Sequence, residues 1–153
     1  LAALPVAACL TPLNMLLDIG IIDESVGPRG RRAYAIRDVL ATGIPVAFSS
    51  DSPVCDPSPL LGVQAAVTRA RPDGTPPGGW YPEQKIRVAE AIRAYTRVPA
   101  EIHGRGPVLG RIAPGCLADL VVLEEDPHAV SPGSIGRIAV GMTVFDGRVV
   151  FRR

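Results

Sequence analysis

The chain has 153 residues, of which 47% are hydrophobic and 20% charged, a balance that fits one folded domain and excludes a disordered or fibrous protein. Sixteen Lys and Arg residues offset 15 Asp and Glu residues, which leaves a formal net charge of +1. So small a charge offers no field for nucleic acid or an anionic membrane, and neither is an expected partner. Three widely spaced cysteines without a CxxC pair argue against a disulfide framework or zinc knuckle, and they favour a reducing, cytoplasmic location.

The first third of the chain reads as an α/β unit. Residues 1–22 are apolar but interrupted by proline, asparagine, aspartate and glycine, so they predict no membrane span. Instead, residues 6–10 predict a buried strand that is followed by a loop or a helix. Residues 32–42 have apolar side chains at helical spacing and end at Gly43, and residues 44–49 form a second strand of the buried type. This order is typical of a parallel sheet covered by helices.

The pattern changes along the rest of the chain. Helices are predicted over residues 60–70 and 86–97, the second stopped by Pro99 and Gly104, with a loop rich in proline and glycine between them. Beyond residue 104 the chain predicts mainly β-structure. Its strands cover residues 117–123, 138–145 and 149–151, and Asp146–Gly147 is a strong signal for a hairpin turn. We therefore expect two units, residues 1–104 and residues 105–153.

The segment that carries the clearest chemistry follows the second strand. Three polar residues, Ser49, Ser50 and Asp51, come directly after its apolar run. In parallel α/β folds, sites are built at the carboxyl ends of the strands, where a carboxylate can bind a metal ion or act as a general base. The alternative is a turn, because Asp before Ser-Pro is favourable turn chemistry. Asp119 presents the same choice between a ligand and an aspartate that bonds to backbone groups at a strand start.

Three blocks of sequence together make the chain resemble the carboxyl-terminal part of a metal-dependent amidohydrolase. The first is VAFSSDSPV at residues 46–54 with PLLGVQAAVTR at 59–69, and the second is VAEAIRAYT at 88–96. The third runs from residue 110 to 127 and leads to the hairpin at 140–150. The resemblance covers nearly the whole chain. More narrowly, the chain is similar to the bacterial branch that includes YtcJ-like proteins and N-substituted formamide deformylases. Some members of that branch are called exoenzyme regulatory proteins.

The resemblance implies a fold and a metal centre. The fold is a (β/α)8 barrel with a small β-sandwich; this chain would supply the last two βα units, containing strands 7 and 8, and part of the sandwich. Of the family's metal and catalytic residues only the strand-8 aspartate maps onto this sequence, at Asp51, where it would take a proton from the attacking water and touch the metal. Zinc or another divalent metal is expected in the intact parent. None is expected in this chain alone, because it has no HxH motif.

The resemblance also places three residues near a small-molecule substrate. Asn14 stands where this branch commonly has the histidine of a Pro-x-His motif, and Ser50 precedes the strand-8 aspartate. Trp80 lies in the loop rich in proline and glycine, where it either lines a substrate mouth or anchors the loop. His103 and His128 lack a partner pattern and are assigned structural or surface roles, and Cys55 is expected to be a small apolar side chain.

The function expected from these observations is hydrolysis of carbon–nitrogen bonds in amides or formamides. Two alternatives remain open: a truncated or regulatory domain that has lost the metal site, and a fragment that assembles with a separate amino-terminal piece. The two predicted parallel strands are apolar on both faces, and their barrel neighbours are not in this sequence. The expected partner is therefore the missing amino-terminal portion of the same protein or another copy of the chain.

Overall fold

The computed structural model describes residues 3–153, which form a mixture of helices and two small sheets. The strands are β1 (Ala8–Leu10), β2 (Val46–Phe48), β3 (Leu120–Leu123), β4 (Val140–Phe145) and β5 (Arg148–Arg152). The α-helices are α1 (Pro12–Val26), α2 (Ile36–Ala41), α3 (Pro59–Thr68), α4 (Val88–Tyr95) and α5 (Arg97–Ile102), and short 3-10 helices cover Gly27–Arg32, Pro82–Gln84 and Pro132–Arg137. Within residues 3–153, no helix combines the length and the apolar character that crossing a membrane requires.

The first sheet is the parallel pair of β1 and β2. Ala8 lies opposite Val46 and Leu10 opposite Phe48, so the two strands end level with each other. Both strands were predicted, although each is shorter than the apolar run that indicated it. The stretch after β1, which the sequence left open between loop and helix, is the 15-residue helix α1. Pro12 occupies its first turn, where a missing N–H costs nothing.

Two predicted helices have different bounds in the structure. The helix expected over residues 32–42 covers only Ile36–Ala41, because Tyr34 takes a left-handed backbone with φ of 49° just ahead of it. The helix expected over residues 86–97 covers Val88–Tyr95, and a further helix, α5, follows from residue 97. Pro99 was wrongly predicted as a helix stop. It is the third residue of α5, where backbone N–H groups have no partner within the helix.

The predicted carboxyl-terminal β unit is confirmed as an antiparallel sheet in the order β3-β4-β5. Its hairpin turns at Asp146 and Gly147, whose φ angles of 49° and 74° are the positive values that a type I′ turn requires. Asp119 supports this turn, since its Oδ1 accepts a hydrogen bond from the Asp146 N–H at 2.8 Å. The interpretation of Asp119 as a backbone-bonding aspartate therefore agrees with the structure.

Helix α3 lies between two hydrophobic clusters, which explains why it lacks a polar face. Val63 and Ala66 belong to the larger cluster, whereas Ala65 belongs to a smaller cluster with residues of α1. The larger cluster also includes Ile135, which lies in the 3-10 helix ahead of β4, and Ile138, which caps the carboxyl end of that helix. Residues that precede the carboxyl-terminal sheet thus complete the core of the helical part.

This packing predicts that Ile135→Ala destabilises the helical part of the molecule. Ile135 is fully buried, and removing its side chain leaves a cavity that costs about 2–5 kcal/mol in the free energy of unfolding. Ile112→Ala is the matched control, because Ile112 is 89% exposed. Urea denaturation followed by far-ultraviolet circular dichroism checks both variants. Equal midpoints for the two would contradict the assignment of Ile135 to the core.

Candidate functional site

The parallel pairing of β1 and β2 brings two of the predicted site residues together. Asn14 follows the end of β1 by four residues, and Asp51 follows the end of β2 by three. Because the strands end level, both residues emerge at the same edge of the sheet. The Asn14 side chain donates a hydrogen bond from Nδ2 to Oδ2 of Asp51 at 2.8 Å. A pair separated by 37 positions in sequence is thus the centre of the candidate site.

Local hydrogen bonds hold the backbone of Asp51 while its side chain stays exposed. The residue has a left-handed φ of 58°, a conformation that Asp tolerates better than most residues. Its carbonyl oxygen accepts a bond from the Val54 N–H at 2.8 Å, and its own N–H donates to Ser49 Oγ at 3.3 Å. Ser50 Oγ accepts from the Ser52 N–H at 3.3 Å. The turn expected from Asp-Ser-Pro therefore forms. Its hydrogen bonds use backbone groups and serine hydroxyls, so the Asp51 carboxylate remains exposed.

Cys55 is a site residue that the sequence analysis missed. Its thiol is buried and donates to Oδ1 of Asn14 at 2.9 Å, so it contacts the amide that in turn contacts Asp51. Burial raises the pKa of the Cys55 thiol, and the charges of Asp51 and Asp18 raise it further. The thiol therefore keeps its proton and acts as a donor. No sequence signal marks this contact, because a buried free cysteine usually behaves as a small apolar side chain.

A second polar pair lies on the same face of α1. Asp18 follows Asn14 by one helical turn and accepts a hydrogen bond from the hydroxyl of Tyr34. Burial raises the pKa of Tyr34 above its usual range, and the bond to Asp18 and the negative charges of Asp18 and Asp51 act in the same direction. Since the charge of Asp51 acts on Tyr34 as well as on Cys55, the two pairs form one electrostatic cluster.

Trp80 is buried in the smaller hydrophobic cluster. It is 5% exposed and packs with Met15, Leu16, Ile19 and Ala65 of the smaller cluster. Its indole N–H donates to Asp23 Oδ1 at 2.9 Å. Of the two roles considered for Trp80, this environment matches the anchor of the long loop.

Arg69 connects the Trp80 anchor to the site. Its guanidinium is fully buried, with Nε donating to the Trp80 carbonyl at 2.6 Å and Nη1 to the Tyr34 carbonyl at 2.9 Å. Burial lowers the pKa of Arg69 to about 10, which still leaves it charged near neutral pH. The two hydrogen bonds compensate part of the cost of burying this charge, and they join Arg69 to the loop and to the segment ahead of α2.

The remaining sequence-predicted candidates lie outside the cluster around Asp51. His103 lines an apolar cavity of about 350 Å³ beside the two parallel strands, together with the exposed Cys9. His128 donates its backbone N–H to Asp126 Oδ1 within a turn. Across residues 3–153, no group of three or more His, Cys, Asp and Glu side chains could hold a metal ion. The donors near Asp51 are instead an amide, a thiol and a phenol.

The sequence matches one protein family over almost its full length. A profile described as the amidohydrolase family matches residues 1–151. The putative amidohydrolase YtcJ of Bacillus subtilis (strain 168) is 32% identical over 153 residues, covering 99% of this chain and 29% of that protein. The N-substituted formamide deformylase of Arthrobacter pascens is 33% identical over 122 residues, covering 80% of this chain and 22% of that protein. The chain thus spans less than a third of these curated relatives.

A solved structure with the same arrangement supports the match. An uncharacterized metal-dependent hydrolase from Pyrococcus horikoshii OT3 superimposes with a TM-score of 0.73 at 27% identity. The superposition covers 86% of this chain and 27% of that one. The fold therefore agrees with a part of a barrel-related hydrolase.

The electrostatics of the cluster predict that Asp51→Asn lowers the pKa of Cys55. The substitution removes one of the negative charges that disfavour the thiolate, so alkylation by iodoacetamide at pH 8 becomes faster. Asn is chosen because it tolerates the left-handed backbone at this position. The rate is followed across pH by mass spectrometry of the Cys55 peptide. Asp56→Asn, a neighbouring carboxylate that does not contribute to the Cys55 pKa shift, is the control and should leave the rate unchanged.

Proposed function

Because the chain belongs to the amidohydrolase family, we propose that it supplies the carboxyl-terminal part of a metal-dependent hydrolase of non-peptide carbon–nitrogen bonds, such as those of amides or formamides. The observation that carries the proposal is the exposed carboxylate of Asp51, held by Asn14 at the carboxyl edge of two parallel strands. That edge is where parallel α/β folds place their reactive groups. The similarity to a formamide deformylase and a putative amidohydrolase supports the same bond class.

In this proposal Asp51 takes the proton of the attacking water. Oδ2 already accepts the bond from Asn14, so Oδ1 is the oxygen that receives the proton. A carboxylate that acts as a general base contributes about 10²–10⁴-fold to a rate, provided that it is held within hydrogen-bond reach of the water. The turn around Asp51 and the amide of Asn14 provide that restraint.

The residues of this chain do not by themselves fit a metal ion. Stable zinc sites use three or four protein ligands, whereas no group of three or more His, Cys, Asp and Glu side chains within residues 3–153 could hold a metal ion. We therefore propose that zinc or another divalent metal is held mainly by residues of the amino-terminal portion, and that this chain contributes one carboxylate. A catalytic metal supplies an acidified water.

The proposed architecture divides the chain into two parts. Residues 1–104 would be the end of the barrel, with β1 and β2 as its last two strands, and residues 105–153 would belong to a β-sandwich. The outer edges of β1 and β2 would pair with strands of the amino-terminal portion or of another copy of the chain. Asn14 and Ser50 would lie near a small-molecule substrate, whereas the burial of Trp80 favours its role as a loop anchor.

The proposal predicts that Asp51→Asn abolishes most turnover with little effect on folding. The polypeptide encoded by this sequence together with the coding sequence ahead of Leu1 is assayed for release of amine from N-substituted formamides. We expect kcat to fall about 10²–10⁴-fold, since the proton acceptor is lost while the turn-forming backbone is kept. Asp56→Asn, an exposed carboxylate five positions away, is the control. Near-normal turnover in Asp51→Asn would refute the assignment.

Metal analysis of the same polypeptide separates an enzyme from a regulatory domain that has lost its metal. Elemental analysis of the purified protein should find about one or two divalent ions per chain if the proposal is right. A metal-free, inactive polypeptide that lacks an HxH motif ahead of Leu1 would favour the regulatory alternative.

A further inference from the structure

The Cys55 thiol and the Asp51 carboxylate contact opposite ends of the Asn14 amide. Cys55 donates S–H to Oδ1 of Asn14 at 2.9 Å, and Asn14 donates from Nδ2 to Oδ2 of Asp51 at 2.8 Å. An amide has an acceptor at one end and donors at the other, whereas an ionised carboxylate only accepts. A flipped amide would set its oxygen against the Asp51 carboxylate and lose both hydrogen bonds.

We propose that Cys55 is a positioning residue for Asp51, which acts by holding the Asn14 amide in the orientation that presents its NH₂ group to the carboxylate. The inference rests on the function proposed above for Asp51. With Oδ2 of Asp51 occupied by Asn14, Oδ1 faces the reacting water in a fixed direction. The thiol itself does not touch the substrate, so its effect reaches the reaction only through Asn14.

Burial and exposure in the structure support this assignment of roles. Cys55 is 8% exposed, so its thiol has a fixed place, whereas Asp51 is exposed and would otherwise sample several rotamers. The bond from the Val54 N–H to the Asp51 carbonyl ties the carboxylate and the thiol into one turn. Asn14 comes from the separate helix α1. The three side chains therefore also fix the loop after β2 against α1.

The experiment compares Cys55→Ala with Cys55→Ser in the polypeptide used above. Alanine removes the donor, while serine keeps a hydrogen-bonding hydroxyl at nearly the same place. We expect Cys55→Ala to lower kcat about five- to tenfold with KM unchanged, the effect of one lost hydrogen bond, and Cys55→Ser to recover most of it. Cys116→Ala is the control, because the Cys116 thiol lies near the Pro107 carbonyl in the loop ahead of β3.

A double substitution tests whether the thiol acts through the amide. In an Asn14→Ala background, Cys55→Ala should cause no further loss of kcat, because the group that it positions is already gone. A fivefold or larger loss that persists in this background would overturn the proposal, as would wild-type kcat for Cys55→Ala alone.

A measurement that does not depend on activity separates this proposal from the function on which it rests. In ¹⁵N-labelled protein, the side-chain NH₂ signals of Asn14 should shift and exchange faster with solvent in Cys55→Ala, and return in Cys55→Ser. If the polypeptide has no amidase activity but shows these changes, the proposed function fails and the positioning contact stands. Unchanged Asn14 signals in Cys55→Ala would overturn the contact itself, whatever the activity.

Discussion

The parallel pairing of β1 and β2 is the constraint on which the candidate site depends. Three residues of each strand lie in register, so the chain leaves both strands at one edge of the sheet. An antiparallel arrangement, or a slip of one residue, would separate Asn14 from Asp51 or turn one side chain to the opposite face. The 2.8 Å bond between these residues is therefore a direct consequence of strand register.

Around this edge, the molecule uses polar contacts between distant segments rather than one continuous apolar core. Arg69 joins the carbonyl groups of Trp80 and Tyr34, and Tyr34 reaches Asp18 on the helix that carries Asn14. Each of these hydrogen bonds joins two different segments of the chain, so the loop, the helix and the turn support one another. Burying a cation is costly, and the hydrogen bonds from Nε and Nη1 of Arg69 to these two carbonyls offset part of that cost.

The sequence predicted the strands and the Asp51 position because both follow from local patterns. Apolar runs followed by polar residues mark strand ends, and Asp-Gly marks the hairpin whatever surrounds it. The contacts of Cys55 and Arg69 could not be predicted in the same way. They depend on a left-handed backbone at Tyr34, Asp51 and Arg69. Glycine is the usual sequence signal for this conformation, and none of these three positions has a glycine. Tertiary contacts select it, so only the folded structure shows which side chains it brings together.

The burial of Ile135 and Ile138 in the cluster that also contains residues of α3 and β2 has a consequence for synthesis in the cell. The chain emerges from the ribosome with its amino end first, so the apolar surfaces of α3 and β2 appear long before residues 132–138 arrive to cover them. Until then, the apolar core of the nascent polypeptide is incomplete and exposed to solvent. Chaperone binding during translation, and aggregation of chains released early, are the expected results of this late closure.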